Sequence, residues 1–203
     1  MRSRALVLAV LATVACSGGE RAPLSRSGFI GAELPTPLPK PDFTFTDSKG
    51  KPYPLVERTA GQVTLLFFGY THCPDVCPVH LANIAAVLDK MPDEVQRSVT
   101  VVFVTTDPAR DSLPVLDAWV KRFNPAFVGL TGSDSILAAA QATVKMAPAE
   151  RDTLPDGSGG YAVGHSAAVI AYTRDGVGRV MYPFGTRQRD WAHDLPALVN
   201  YGQ

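Results

Sequence analysis

Residues 63–80, VTLLFFGYTHCPDVCPVH, constrain the fold more than any other part of the chain. The apolar run Val63, Leu65, Leu66, Phe67 and Phe68 is short, rich in branched and aromatic residues, and ends at Gly69, which is the pattern of a buried strand. Cys73 and Cys77 follow in a turn flanked by Pro74 and Pro78, and Val79, Ile84, Val87 and Leu88 then mark a helix. Positions i and i+4 in a first helical turn share a face, so the two sulfurs are expected to converge within reach of a disulfide or a shared metal ion. A structural disulfide closing so short a loop would restrain the unfolded chain only slightly. A thiol pair at the exposed mouth between a strand and a helix N-terminus is better placed for reactivity, because the helix dipole and unpaired N–H groups favour thiolate, the form that binds metal. The two prolines fix φ and stiffen the spacing between the sulfurs.

Residues 1–16 read as an export signal: Arg2 and Arg4 provide a positive start, and residues 5–15 an apolar core too short to span a bilayer. Thr13-Val14-Ala15-Cys16, followed by Ser17-Gly18-Gly19, resembles a bacterial lipoprotein signal, in which Cys16 becomes the lipid-bearing N-terminus. Thr13 departs from the commoner Leu, and an ordinary secretory signal is the alternative. With Cys16 as anchor, Cys73 and Cys77 are the remaining cysteines, so no other disulfide competes with their pairing. Loss of Arg2 and Arg4 leaves 17 basic against 19 acidic side chains, a near-neutral balance that gives no electrostatic footprint for nucleic acid or an anionic membrane surface.

Residues 17–40 lack periodicity and carry Gly18, Gly19, Gly28 and Gly31, then Pro35, Pro37 and Pro39, which reads as an extended, flexible tether. Residues 41–203 make one domain. Within it, 42–46 and 53–56 flank the turn 47–50 as a hairpin. The central strand and cysteine helix come next. They are followed by a buried strand at 99–104, a helix through Leu113, Leu116, Trp119 and Phe123, a short strand at 127–130, and a helix capped by Ser133 or Asp134. A polar loop at 148–160 is longer than a compact connection needs, so it is either mobile or part of a binding surface. A strand hairpin spans 167–172 and 178–182, and a helix carrying Trp191, Leu195 and Leu198 closes the chain. This order fits an α/β, thioredoxin-like fold with an added N-terminal β-hairpin and extra hairpin and loop insertions.

Soft thiolates select Cu(I), Zn(II) or iron–sulfur chemistry, and a useful site needs a third ligand. His165, just before the strand at 167–172, is the candidate, because in a thioredoxin-like arrangement that loop lies beside the cysteine turn; a packed or surface histidine is the plain alternative. His72 is expected to point away from Cys73. His80 reads as a solvated helix face or a reserve ligand, and His193 as surface. Asp75 reads as a helix cap or a charge that tunes the site, and Asp107 with Arg110 as a solvated loop pair or a docking rim.

Residues 68–78, FGYTHCPDVCP, with Tyr161, Val163, His165 and Ser166 and the segment Thr106-Asp107-Pro108-Ala109-Arg110-Asp111, resemble the Sco/SenC family of copper chaperones over about residues 40–200. The resemblance implies a thioredoxin-like domain that binds one copper ion, Cu(I) or Cu(II), through Cys73, Cys77 and His165. It further implies delivery of copper, or of reducing equivalents, to the dinuclear copper centre in subunit II of cytochrome c oxidase. Another exported copper protein is the alternative target and an upstream copper donor a further expected partner; the lipoprotein-like signal, in turn, is expected to hold the chain lipid-anchored in the bacterial cell envelope, facing the periplasm or another extracytoplasmic space. Gly164 departs from the family, where the residue before the histidine is often Asp, and this removes a nearby negative charge. Two other classes stay open. A thiol–disulfide oxidoreductase would use Cys73 and Cys77 as a redox pair, although CxxxC is one residue longer than the thioredoxin-type spacing. A peroxidase is disfavoured because Tyr70 and Pro74 stand where an activating Thr would precede each cysteine.

Overall fold

The computed structural model describes residues 27–154 and 160–202. The expected signal with Cys16, the first part of the expected tether and part of the polar loop lie outside the described residues. In chain order the elements are β1 (Ala32–Pro39), β2 (Thr44–Asp47), β3 (Pro52–Pro54), α1 (Leu55–Arg58), β4 (Val63–Gly69), α2 (Val76–Leu88), α3 (Asp93–Ser98), β5 (Val99–Thr105), α4 (Leu113–Lys121), β6 (Val128–Thr131), α5 (Asp134–Thr143), β7 (Glu150–Thr153), β8 (Tyr161–Gly164), β9 (Val169–Tyr172), β10 (Val177–Tyr182) and α6 (Gln188–Val199).

Strand β4 lies inside an eight-stranded sheet of order β1-β10-β9-β4-β5-β6-β2-β3. It pairs in parallel with β5 from Val63↔Val99 to Gly69↔Thr105 and antiparallel with β9 on its other side. Alternate side chains go to opposite faces. Val63, Leu65 and Phe67 pack in one core with Leu81 and Ile84 of α2, Leu116 and Trp119 of α4, and Trp191 and Leu195 of α6. Leu66 and Phe68 pack in the other with Leu137 and Ala140 of α5 and with Phe45, Tyr53 and Leu55. Burial on both faces is why this strand reads as a continuous apolar run rather than an alternating one. The α/β class and the β2–β3 hairpin are as expected, and that hairpin extends the sheet beyond β6.

The spacer expected to run through residue 40 does not hold over its second half. Strand β1 pairs antiparallel with β10, with a register shift between Glu33 and Leu38. Phe29 is 1% exposed, and the backbone N–H groups of Ile30 and Gly31 donate to the buried Asp194 carboxylate at 3.0 and 2.9 Å. A Cβ at Gly31 would come within 2.5 Å of Tyr182 and Val180, so only glycine lets the segment lie this close. The alternating prolines that suggested a tether are those of an edge strand, where a residue without an N–H is tolerated. Pro35, Pro37 and Pro39 on β1, and Pro52 and Pro54 on β3 at the opposite edge, leave few donors to template a further strand.

The polar loop also holds more structure than its composition suggested. All four residues of β7 are exposed, and β7 pairs antiparallel with β8 in a separate two-stranded ribbon, from Glu150↔Gly164 to Thr153↔Tyr161. His165 follows directly on β8.

Candidate metal centre

The cysteine turn starts where β4 ends. A Cβ on Gly69 would fall 2.7 Å from Cys77 Sγ and 2.7 Å from Phe103, so the missing side chain makes room for the sulfur. Cys73 precedes α2 rather than lying in its first turn; the Cys73 N–H donates to the Tyr70 carbonyl at 3.2 Å, and Cys77 is the second residue of the helix. The sulfurs still converge, because the helix N-terminus points its free donors back at the turn. The Cys77 N–H reaches Cys73 Sγ at 3.4 Å, and the two cysteines are unbridged.

The thiols are unequal. Cys77 is fully buried, whereas Cys73 is 9% exposed, so the expectation of two exposed sulfurs holds for neither fully and for Cys77 not at all. Hydrogen bonding from the Cys77 thiol, aided by backbone N–H groups of Cys77 and Asp75, pulls Cys73 down to about 5 against the opposing effect of burial. Cys77 is pushed far up, first by its bond to Cys73 and then by burial. Asp75 occupies the N-cap position, but its side chain makes no capping bond.

His165 is brought to the pair from the far end of the chain. Its Nε2 lies 3.5 Å from Cys77 Sγ, and its Nδ1 lies 2.9 Å from the Ser166 carbonyl oxygen. A carbonyl only accepts, so Nδ1 carries a proton, and in the neutral ring Nε2 is the donor atom left facing the sulfur. The Tyr70 ring stands edge-on to the imidazole at 5.6 Å and 88°. The donor atoms of Cys73, Cys77 and His165 lie within 4.8 Å of one another. Bonds of ~2.0–2.3 Å from one ion to three ligands separate the ligand atoms by roughly 3.5–4 Å in a trigonal site, so small side-chain adjustments suffice to close on a metal. Two thiolates and one imidazole suit a soft ion.

Of the other histidines, His80 departs from expectation. His72 is exposed and faces Asp111, and His193 is exposed and bonds Asp194. His80 is not on a solvated face: it is 2% exposed, and its Nε2 lies 2.9 Å from the Ala167 carbonyl. Burial lowers its pKa.

Asp107 and Arg110 likewise form no solvated pair. Asp107 is buried; it accepts from the Arg110 Nε and, at 2.8 Å, from the Tyr161 hydroxyl. The Arg110 guanidinium stacks 3.7 Å over the Tyr161 ring and donates to the Tyr161 carbonyl at 2.9 Å. This cluster clamps β8, the strand that leads into His165. Asp111, 1% exposed, performs the matching task for the cysteine turn, accepting from the Thr71 N–H at 2.9 Å and from the Thr71 and Thr105 hydroxyls at 2.6 Å. Sequence reasoning gave Asp111, Gly69 and Tyr161 no structural role at the site. The Asp-Pro-x-Arg-Asp spacing was the available signal, since it sets two carboxylates on one tight turn.

At Gly164, a Cβ would sit 3.7 Å from an Asp152 carboxylate oxygen of the paired strand. A carboxylate already stands in this neighbourhood, and an Asp at 164 would oppose it with like charge.

The family model described as SCO1/SenC matches residues 32–200. The chain is 35% identical over 139 residues to the mitochondrial SCO2 homologue of Mus musculus, covering 67% of this chain and 52% of that one. The chain thus spans about half the length of that curated relative. Among solved structures, it resembles apo Sco1 of Thermus thermophilus with a TM-score of 0.74 and 34% identity, covering 84% of this chain and 97% of the other. Copper-bound ScoI of Bradyrhizobium japonicum gives a TM-score of 0.68 and 30% identity over 83% of this chain and 99% of the other.

Proposed function

This chain belongs to the SCO1/SenC family, and from that premise we propose that it is an exported copper chaperone binding one copper ion through Cys73, Cys77 and His165. Its destination is the dinuclear copper site in subunit II of cytochrome c oxidase, and Cys16 tethers it to the membrane of the cell envelope. The observation that carries the reading is the convergence of two sulfurs and an imidazole lone pair within 4.8 Å. The half-exposed His165 and the slightly exposed Cys73 leave one side of the site open. A partner's ligand can therefore enter before copper leaves, which transfer requires. A lipid tether also agrees with the described residues, none of whose helices is long and apolar enough to cross a membrane.

Copper titration of the reduced full chain tests this. One equivalent is expected to bind, with affinity reduced at least about tenfold in His165→Ala, as for loss of one ligand contact, and binding lost in Cys77→Ser. Equal binding by wild type and His165→Ala would refute the three-ligand site.

The inequality of the thiols favours a second activity at the same residues, thiol–disulfide exchange with the cysteines of the oxidase copper site. Cys73 would attack the partner's disulfide as thiolate, releasing one partner thiolate, and Cys77 would then attack Cys73 Sγ in the mixed disulfide, closing a Cys73–Cys77 disulfide and releasing the second partner thiol. Reduction of a disulfide peptide that proceeds undiminished in His165→Ala, and without copper, would make exchange the principal activity.

A further inference from the structure

His80 is a buried polar side chain that neither copper binding nor thiol exchange employs. It lies one turn beyond Cys77 on the same face of α2, at i+3. Its ring packs 5.2 Å from Phe67 and 5.7 Å from Phe184, and Phe67 is in turn 6.3 Å from the His165 ring. An aliphatic residue would fill this space without the desolvation cost of an imidazole, so the polar contact has to offset that cost. The contact is made to Ala167, two residues after His165. Residues 165–168 lie between β8 and β9 and belong to neither strand, so no sheet ladder fixes their path. Two successive carbonyls are instead held by imidazoles, Ser166 by His165 Nδ1 and Ala167 by His80 Nε2. A carbonyl cannot donate, so His80 carries its proton on Nε2.

We propose that His80 is a positioning residue: its Nε2–H bond to the Ala167 carbonyl ties the cysteine helix to the His165 loop and so fixes the imidazole over the sulfurs. Phe184, 46% exposed, lies against the outer side of the His80 ring. The consequence for copper rests on the ligand set proposed above, whereas the ordering of the loop does not.

The test compares His80→Phe, which keeps a ring but loses the donor, with His80→Gln, which keeps an N–H donor of similar reach. In the reduced, metal-free full chain, amide hydrogen exchange at residues 166–168 is expected to quicken about tenfold in His80→Phe, the scale of one net buried hydrogen bond, and to stay near wild type in His80→Gln. The ring-to-ring nuclear Overhauser contact of His165 with Tyr70 is expected to weaken in the first variant and persist in the second. With copper loaded, release to a competing chelator is expected to follow the same order. Wild-type exchange and copper release in His80→Phe would overturn the proposal. So would equal losses in both variants that merely track their melting temperatures. Should His80→Phe fail to fold, a folded His80→Gln with an unprotected loop overturns it and one with a protected loop supports it. If wild type binds no copper while the two variants still differ in loop exchange, the copper reading fails and the positioning role stands.

Discussion

At the scale of single residues, the site depends on two thiols that share a turn and differ in surroundings. Cys73 receives hydrogen bonds from Cys77 and from the helix N-terminus, while Cys77 is enclosed beneath it. Iodoacetamide is therefore expected to label Cys73 and spare Cys77, with a rate that rises with pH through about 5 and is level by neutrality. Preferential labelling of Cys77, or a rate still climbing at about pH 8, where an ordinary thiol titrates, would contradict the inequality. Cys73, Cys77 and His165 were legible in the sequence because each is marked by type and by a local pattern. His80 and Asp107 were not, because a lone polar residue reads as solvated unless its neighbours are known. Phe67, Phe184 and Ala167 surround His80 from three separate segments of the chain, and no spacing along the chain announces that meeting. Arg110 illustrates the same limit. Arg110→Ala is expected to leave the sulfurs in place but loosen β8, lowering copper affinity more than it lowers the melting temperature; an unchanged affinity would show that the Tyr161 clamp is dispensable.

At the scale of elements, the sheet was legible where apolar runs are continuous, as in β4 and β5, and where turn chemistry is explicit, as between β2 and β3. Strand β1 was hidden by its prolines, which signal an extended chain without saying whether it is paired. The start of the folded unit consequently moves from residue 41 toward residue 27. A protein beginning at residue 41 loses the buried Phe29 and Leu38 and the donors to Asp194, and it leaves that carboxylate buried with fewer partners. The expected loss is about 5 kcal/mol or more, comparable to the whole stability of a small domain. Urea unfolding of proteins starting at residues 27 and 41 checks this, and equal midpoints would return β1 to the role of tether. Strand β7 was missed for a related reason: all its side chains are exposed, so no apolar alternation marks it.

At the scale of the whole molecule, the sheet holds the metal-binding end and a second polar cluster far along the same strands. Lys40, 7% exposed, donates to the hydroxyls of Thr59 at 2.8 Å and Thr64 at 2.9 Å, with the Tyr172 ring 5.5 Å away. Burial lowers its pKa to about 8, with Asp175 opposing. Between that value and the ordinary lysine value of 10.5 the unfolded chain binds more protons than the folded one, so this residue's contribution to stability rises with pH across the window. Below about 8 both states are charged and the penalty stands in full. Wild type is accordingly expected to gain on Lys40→Met between about pH 7.5 and about pH 9.5, and a constant difference would show that the ammonium is adequately solvated. The path from sequence to function passes through one long-range event, the docking of the loop after β8 beside the turn after β4. Its most direct measurement is the X-ray absorption spectrum of the copper-loaded full chain. Two sulfurs and one imidazole nitrogen around a single copper are expected, with the imidazole signal lost in His165→Ala; a wild-type spectrum of sulfur scatterers alone would contradict the site.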